Sequence, residues 1–183
     1  MNTRGFTLIE LMMTMGLVAI MTSVAVPSFN GSLKKNRAVT QTNNLVLAFS
    51  LARSESVKRN IQVSVCSSTN QSTCASSTNW ANGWIVFVDQ NNNGTFEDDG
   101  DSNLCELGAN NLPSEDCLLK THPGLSGNPT MTGSSNNVQY QSDGAVVAAA
   151  LFTHTPNTCI GNERHTINVT TIGRPYSSEV SCP

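Results

Sequence analysis

Charged residues are scarce in this chain of 183 residues, where Asp, Glu, Lys and Arg together make up 13%. Histidine is scarcer still: His122, His154 and His165 stand apart among Pro and Thr, without the spacing of a metal site. Nucleophile motifs, phosphate loops and dinucleotide fingerprints are also missing. We therefore predict that the protein is not an enzyme and that it holds no resident cofactor.

The C-x-x-C spacing is absent as well, which argues against zinc ribbons and thioredoxin-like redox sites. The chain nevertheless has an even number of cysteines, all beyond the N-terminal apolar segment: Cys66, Cys74, Cys105, Cys117, Cys159 and Cys182. Disulfides in an oxidising, periplasmic compartment are the better interpretation. Sequence alone leaves the connectivity open. We choose the sequential pattern because it closes short loops: Cys66–Cys74, Cys105–Cys117 and Cys159–Cys182.

Only one stretch of the chain is long and apolar, and it runs from Arg4 to Pro27. Its length matches a membrane-spanning helix, since a hydrocarbon core of about 30 Å needs about 20 apolar residues. Arg4 precedes the stretch, which places the N-terminus in the cytoplasm by the positive-inside rule. We therefore expect a single-pass inner-membrane protein with a globular domain in the periplasm.

Glu10 is the one acidic residue within that stretch. An ionised carboxylate in hydrocarbon is costly unless a partner neutralises it, so an intramembrane acid points to a function. The apolar stretch contains no Lys, Arg or His that would serve as this partner. Cleavage after Gly5 would create one, because it frees the amine of Phe6. Such an amine could neutralise Glu10 of a neighbouring subunit when the helices pack side by side.

The residues G-F-T-L-I-E-L, from Gly5 to Leu11, resemble the class III signal of type IV pilins and type II secretion pseudopilins. The resemblance implies that a prepilin peptidase cuts between Gly5 and Phe6, that Phe6 is N-methylated, and that Glu10 guides filament assembly. It also implies other pilin subunits and the inner-membrane assembly platform as partners. The alternatives are an ordinary secretory signal, whose A-x-A-like site is absent at this junction, and an inert anchor, which leaves Glu10 unexplained.

Beyond Pro27 the helix is predicted to continue to about Lys58, with Leu33, Leu45, Phe49 and Ala52 near one face. Strand patterns follow: IQVSVC as a half-buried strand, then GWIVFVD, CLLKTH, VQYQ, GAVVAAALF and HTINVTTIG. A helix followed by a run of strands indicates an α+β fold with an antiparallel sheet packed on the helix. The predicted organisation is a leader at 1–5, a transmembrane and assembly helix at 6–28, its amphipathic half at 29–59, and a disulfide-bonded periplasmic β domain at 60–183.

Two downstream segments narrow the resemblance to the GspH/FimT group of pilin-like proteins. GWIVFVDQNNNG is similar to a strand and turn of that group, and H-T-I-N-V-T-T-I-G-R-P is similar to its closing strand. The group implies a pilin fold, and a C-terminal disulfide common in its minor pilins supports Cys159–Cys182. The expected function is a minor pilin that is incorporated into a type IV pilus, at or near its tip, or primes its assembly. A type II secretion pseudopilin and a DNA-binding pilin for natural transformation are the alternatives.

The loop from Asp89 to Asp101 opens like a calcium-binding EF-hand loop, with Asp89, Asn91 and Asn93 at alternate positions before a glycine. The bidentate Glu that should close such a loop is replaced by Gly100, and Asp99 or Asp101 would have to substitute in an irregular site. The alternative is a polar turn in which Asp and Asn side chains bond to the backbone.

DNA binding depends on few cations in this chain. DNA-binding pilins of the group carry a C-terminal G-R-x-R motif, and here Arg174 is followed by Pro175 and then by Tyr176 in place of the second Arg. Arg164 is a further candidate phosphate contact, and Tyr176 is a candidate base-stacking residue. Because phosphate affinity scales with the number of cations engaged, the expected binding is weak and salt-sensitive.

Overall fold

The first helix contains nearly all of the N-terminal third of the chain. The computed structural model describes residue 5 and residues 7–98 and 115–183, and of residues 24–28 and 30 it describes the backbone alone. Helix α1 spans Leu8–Arg59, close to the predicted range. The chain divides into two compact units, Met1–Arg37 and Ala38–Pro183.

Both ends of α1 are closed by recognisable local interactions. The side chain of Thr7 accepts a hydrogen bond from the backbone N–H of Glu10, 3.3 Å away, as an N-cap residue does. At the other end Asn60 adopts a left-handed conformation (φ 53°). The N–H of Ile61 donates to the carbonyl of Ser56 over 3.3 Å, which completes a Schellman-type stop.

In the part of the chain that the structure describes, no helix combines the length and the apolar character needed to cross a membrane. Phe6 and the side chains of 24–28, which belong to the predicted transmembrane helix 6–28, lie outside the described residues. The membrane span therefore stays a prediction.

Eight strands follow the helix and form two antiparallel sheets. They are β1 (Val63–Ser67), β2 (Gly83–Val88), β3 (Cys117–Pro123), β4 (Thr130–Gly133), β5 (Asn137–Tyr140), β6 (Ala150–Thr155), β7 (Arg164–Val169) and β8 (Pro175–Val180). A short 3-10 helix, Trp80–Asn82, precedes β2. The first sheet has the order β3-β2-β1-β5, and the second sheet has the order β4-β6-β7-β8. The predicted α+β class is confirmed.

The core of the second unit lies between α1 and the inner faces of the two sheets. Leu45, Phe49 and Ala52 are fully buried, as the helical pattern predicts. The ring of Phe49 lies 6.0 Å from the ring of Trp80 and 5.0 Å from that of Phe152. Leu33 was expected on the same face, but 46% of its surface is exposed.

The prediction that β1 is half-buried is wrong. All of its residues are buried, including Ser64 and Ser67, because both faces of the first sheet are covered. The inner face contacts the core described above. On the outer face Cys66, Ile85, Phe87 and Phe96 form a second, small apolar cluster.

Candidate functional site

The processing and assembly motif lies at the start of α1. Glu10 is an exposed residue of the first helical turn, and Phe6 lies outside the described residues. Thr7 and Glu10 together form the T-x-x-E pattern of a capping box, in which Glu10 occupies the third helical position. A carboxylate in the first turn also interacts favourably with the helix dipole. The T-x-x-E pattern therefore also indicates a local structural role for Glu10 at the start of α1, which the interpretation as an assembly motif left out.

Apolar side chains surround this motif and are left uncovered within the chain. Large hydrophobic residues of about the first four turns are more than half exposed: Leu8, Ile9, Leu11, Met12, Met13, Met15, Leu17, Val18, Ile20 and Met21. Their exposures range from 53% at Leu11 to 77% at Leu8. Contiguous apolar surface of this kind marks an interaction site with a protein or a membrane.

The predicted calcium loop is organised around the carboxylate of Asp89, which is fully buried. Its Oδ2 atom accepts hydrogen bonds from Ser64 Oγ at 2.7 Å, from the N–H of Gly94 at 2.8 Å and from Gln62 Nε2 at 3.1 Å. Its Oδ1 atom accepts from the N–H of Asn93 at 3.1 Å. Four donors of the protein thus already bind this carboxylate, three of them at Oδ2.

The other predicted ligands of that loop also bond to the loop itself. Asn91 Oδ1 accepts from the N–H of Asn93 at 3.0 Å, and Asn93 Oδ1 accepts from the N–H of Thr95 at 2.7 Å. Both amide groups donate to the carboxylate of Glu97. These are the side chain–backbone bonds of Asx turns, as the polar-turn alternative predicts.

Asp116 joins this loop to the start of β3. Its carboxylate accepts hydrogen bonds from the N–H of Gln90 at 2.8 Å and from the N–H of Glu97 at 3.1 Å. Burial, helped by the nearby charges of Asp89 and Glu97, nevertheless raises its pKa to about 6. Among the described residues no group of three His, Cys, Asp or Glu side chains is placed to hold a metal ion. Asp99 and Asp101 lie outside the described residues, so calcium binding stays a prediction.

Two of the three predicted disulfides are present. Cys66 is bonded to Cys74, and Cys159 is bonded to Cys182. Cys117 is disulfide-bonded as well, and its predicted partner Cys105 lies outside the described residues. The first bridge fastens the loop after β1, and the last one fastens the end of β8 to the segment before β7.

The candidate DNA contacts are spread along the second sheet. Arg164 begins β7, whereas Tyr176 pairs with Asn168 near the other end of that strand. Four residues of strand separate Arg164 from Asn168, which is about 13 Å. Arg174 lies in the turn before β8, where its backbone N–H donates to Thr170 Oγ1 over 3.3 Å. The three residues therefore form no single cationic cluster.

Histidines that seemed scattered in sequence contact helix α1 in the structure. His122 Nε2 lies 3.2 Å from Asn44 Nδ2, and His154 Nε2 lies 2.9 Å from Gln41 Oε1. Desolvation lowers the pKa of His122. Burial, followed by the proximity of His165, lowers the pKa of His154 to about 4. One neutral histidine from each sheet thus holds α1.

Solved structures of similar fold come from one bacterial pilin. Two crystal forms of the type IV minor pilin FimU of Pseudomonas aeruginosa match this chain with TM-scores of 0.53 and 0.50 at 15% identity. The first match covers 77% of this chain and 87% of FimU, and the second covers 76% and 90%. At that identity the likeness shows a shared fold. No curated protein sequence matches the chain.

Family models account for both parts of the chain. Residues 1–26 match the prokaryotic N-terminal methylation motif, which includes Gly5, Phe6 and Glu10. Residues 41–173 match the model described as type II transport protein GspH, and they cover the helix–sheet core, the Asp89 loop and β7. Since this second match spans well over half of the chain, the protein belongs to the GspH family and is a pilin-like structural subunit.

Proposed function

We propose that this protein is a minor subunit of a type IV pilus that is processed before assembly. Prepilin peptidase would cleave between Gly5 and Phe6, and the new amine of Phe6 would be methylated. The match of residues 1–26 to the N-terminal methylation motif supports this step. The surface-exposed setting of a pilus also suits a domain with several disulfides, which persist in oxidising compartments.

Before assembly the chain would reside in the inner membrane as a single-pass protein. Its N-terminus would be cytoplasmic, and the unit Ala38–Pro183 would be periplasmic. Arg4 before the apolar stretch and the cysteines behind it support this orientation. The inner-membrane assembly platform would then receive the processed subunit.

The observation that carries the proposal is the uncovered apolar surface of α1 between Leu8 and Met21. In water this surface would be unfavourable, at roughly 25 cal/mol for each Å² left exposed. Lipid covers it before assembly, and the helices of neighbouring subunits cover it afterwards. Lateral helix packing therefore explains why a helix of 52 residues is so much longer than its core contacts require.

Glu10 has two candidate roles that one substitution separates. As a capping-box residue it stabilises the start of α1, and Gln serves the same local purpose. As an assembly residue it needs its negative charge, because the partner is the amine of Phe6 on a neighbouring subunit. Glu10→Gln keeps the cap and removes the charge.

The test is to express Glu10→Gln in cells that assemble the filament. We expect mass spectrometry to find the methylated Phe6 terminus, and we expect incorporation into sheared filaments to fall at least about tenfold, the equivalent of about 1.4 kcal/mol. The control is Glu163→Gln, which removes one carboxylate from the loop between β6 and β7. Wild-type incorporation of Glu10→Gln would refute the charge pairing.

A type II secretion pseudopilin is the second candidate, and the family match over residues 41–173 favours it. Both machines use the same processing and helix packing, so a deletion of this protein separates them. Loss of surface pili with normal export of secreted enzymes supports the pilus. The opposite pair of results supports the secretion machine.

A further inference from the structure

The two sheets have four edge strands, and three of these edges are covered or guarded. Thr78 and Asn79 bond to β4, and Val146 and Val147 bond to β5. On β3 an exposed Lys120 and a bulge in the pairing with β2 interrupt the edge, as is usual where an edge strand is kept from pairing. Strand β8 carries no lysine, pairs with β7 without a bulge, and among the described residues has no second neighbouring strand.

The outer edge of β8 consists of the backbone groups of alternate residues. The carbonyl of Arg174, just before the strand, accepts a hydrogen bond from the N–H of Thr170 at 3.2 Å and therefore points towards β7. Because successive residues of a strand alternate in direction, the backbone groups of Pro175, Ser177 and Glu179 point away from β7. Proline fits this position, since it has no N–H to donate to the sheet. A further strand would therefore pair with these three residues.

A groove between α1 and β8 lies beside this edge. At one end a cavity of about 180 Å³ is lined by Thr42 and Asn43 of α1 and by Ser177 and Glu179 of β8, among others. At the other end an open cavity of about 550 Å³ lies between Pro175 and α1. Its lining residues on α1 are Ser50, Arg53, Ser54, Val57 and Lys58. A strand added to β8 would turn every second side chain into this groove.

The two ends of the groove carry opposite charges. Arg53 and Lys58 line the wider cavity. The one carboxylate beside them, that of Glu55, is shared between Lys58 at 3.7 Å and the guanidinium of Arg59. This end therefore keeps a net positive charge. The narrower cavity is lined by the acidic residue Glu179.

We propose that β8 binds an extended segment of a different protein chain as a further antiparallel strand. Antiparallel addition continues the pairing of the second sheet, and the groove then sets a sequence pattern. The residue opposite Glu179 would be Lys or Arg. The residue four positions later, opposite Pro175, would be Asp or Glu facing Arg53 and Lys58. Main-chain hydrogen bonds would provide the affinity, and these alternate side chains would provide the specificity.

A second copy of this chain does not fit the pattern. None of its ten Lys and Arg residues is followed four positions later by Asp or Glu. Antiparallel pairing of β8 with β8 of a second copy would also reverse the direction of α1 in that copy, whereas subunits inserted into one membrane share one orientation. The chemistry therefore favours a different chain, and the proposal goes beyond the lateral packing of α1.

The test uses two peptides of the same composition, acetylated and amidated so that their termini carry no charge. Thr-Lys-Thr-Val-Thr-Glu-Thr has the predicted pattern, and Thr-Glu-Thr-Val-Thr-Lys-Thr exchanges its two charges. Each is titrated to millimolar concentration against the labelled full chain in detergent micelles, and microscale thermophoresis measures binding. We expect the first peptide to bind at least about tenfold more tightly, because the charges of the second would meet like charges in the groove.

Two variants test the backbone pairing and the charge separately. Ser177→Pro removes an N–H that points away from β7, which an edge strand tolerates, and should weaken the first peptide at least about tenfold. Ser177→Ala keeps this N–H and should bind like the wild type. Lys58→Glu should also weaken the first peptide, because it brings a carboxylate next to that of the peptide. Its matched control is Lys120→Glu, which reverses an exposed charge on β3 and should change nothing.

Melting curves of all variants verify that the fold persists, and Lys58→Glu alone carries the test if Ser177→Pro does not fold. Equal affinity for the two peptides would overturn the proposal. So would affinity that neither Ser177→Pro nor Lys58→Glu changes, or binding of neither peptide by a chain that self-associates through β8. The peptides do not involve Glu10 or filament incorporation, so this result and the test of the proposed function can fail independently.

Discussion

Strands β2 and β7 are equally long, but β2 is buried on both of its faces and β7 on only one. All six residues of β2, GWIVFV, are buried, whereas burial alternates along β7, RHTINV. The difference is in the outer faces of the sheets, since α1 covers both inner ones. The loop that carries Asp89 and Phe96 covers the outer face of the first sheet, and the described residues leave that of the second sheet open.

The comparison shows that a strand of continuous apolar residues belongs to a sheet that is buried on both faces. An antiparallel sheet with one solvated face alternates apolar and polar residues, and one buried on both faces does not. The loop that covers the outer face of the first sheet has polar residues at its turn. Its apolar side faces the sheet, where the rings of Phe87 and Phe96 lie 5.3 Å apart. The buried carboxylate of Asp89 holds the turn in place over this cluster.

The largest loss of stability is expected in the core between α1 and the inner faces of the two sheets. Phe49→Ala removes the ring between Trp80 and Phe152 and should lower the free energy of unfolding by about 3–5 kcal/mol. Chemical denaturation measures this loss. Leu47→Ala is the control, because Leu47 is 58% exposed and its truncation should cost little. If the two variants unfold at the same denaturant concentration, the helix is not packed as described.

A second, smaller effect is a loss of stability at acid pH that depends on His154 in the second sheet. The pKa of His154 falls from 6.5 to about 4 on folding, so the neutral form is stabilised in the folded state. The contribution of neutral His154 to the free energy of unfolding is complete above pH 6.5 and is lost as the pH falls towards 4. Its size is roughly 3 kcal/mol at 1.36 kcal/mol for each pKa unit. In His154→Gln, whose amide still donates to Gln41, this acid-induced loss should disappear.

The titration of Asp116 must be removed from that measurement, because it changes the stability with pH in the direction opposite to that of His154. Its pKa rises from 3.8 to about 6 on folding, so its stabilising effect is complete below pH 3.8 and is lost as the pH rises through 6. Both effects fall in nearly the same range of pH and oppose each other in the wild type. The test therefore compares His154→Gln with the wild type in an Asp116→Asn background. Identical pH profiles there would contradict the buried neutral histidine.

Much of the fold was predictable where residues repeat with a clear period. The helix range and the strands β2, β3, β5 and β7 follow from such patterns. Strands β4 (TMTG) and β8 (PYSSEV) were missed, because both lie at sheet edges and carry few apolar residues. The segment GAVVAAALF was predicted as one strand, but β6 begins only at Ala150, after a turn at Gly144 with a φ of 80°.

The sites were harder to predict because they depend on contacts between distant residues. The EF-hand-like spacing identified Asp89, but its bond to Ser64 joins residues 25 positions apart and changes a candidate ligand into the anchor of a turn. Likewise, His154 meets Gln41 across 113 positions.

The contrast between the two outer faces is tested most directly by truncating one apolar residue on each. Phe96→Ala uncovers the cluster on the first sheet and should cost about 2 kcal/mol, less than in a closed core, because a loop can collapse onto the space. Leu151→Ala, on the open face of the second sheet, should cost under about 0.5 kcal/mol, as surface substitutions do. Thermal unfolding of both variants measures the difference. A large loss for Leu151→Ala would mean that the outer face of the second sheet is also covered.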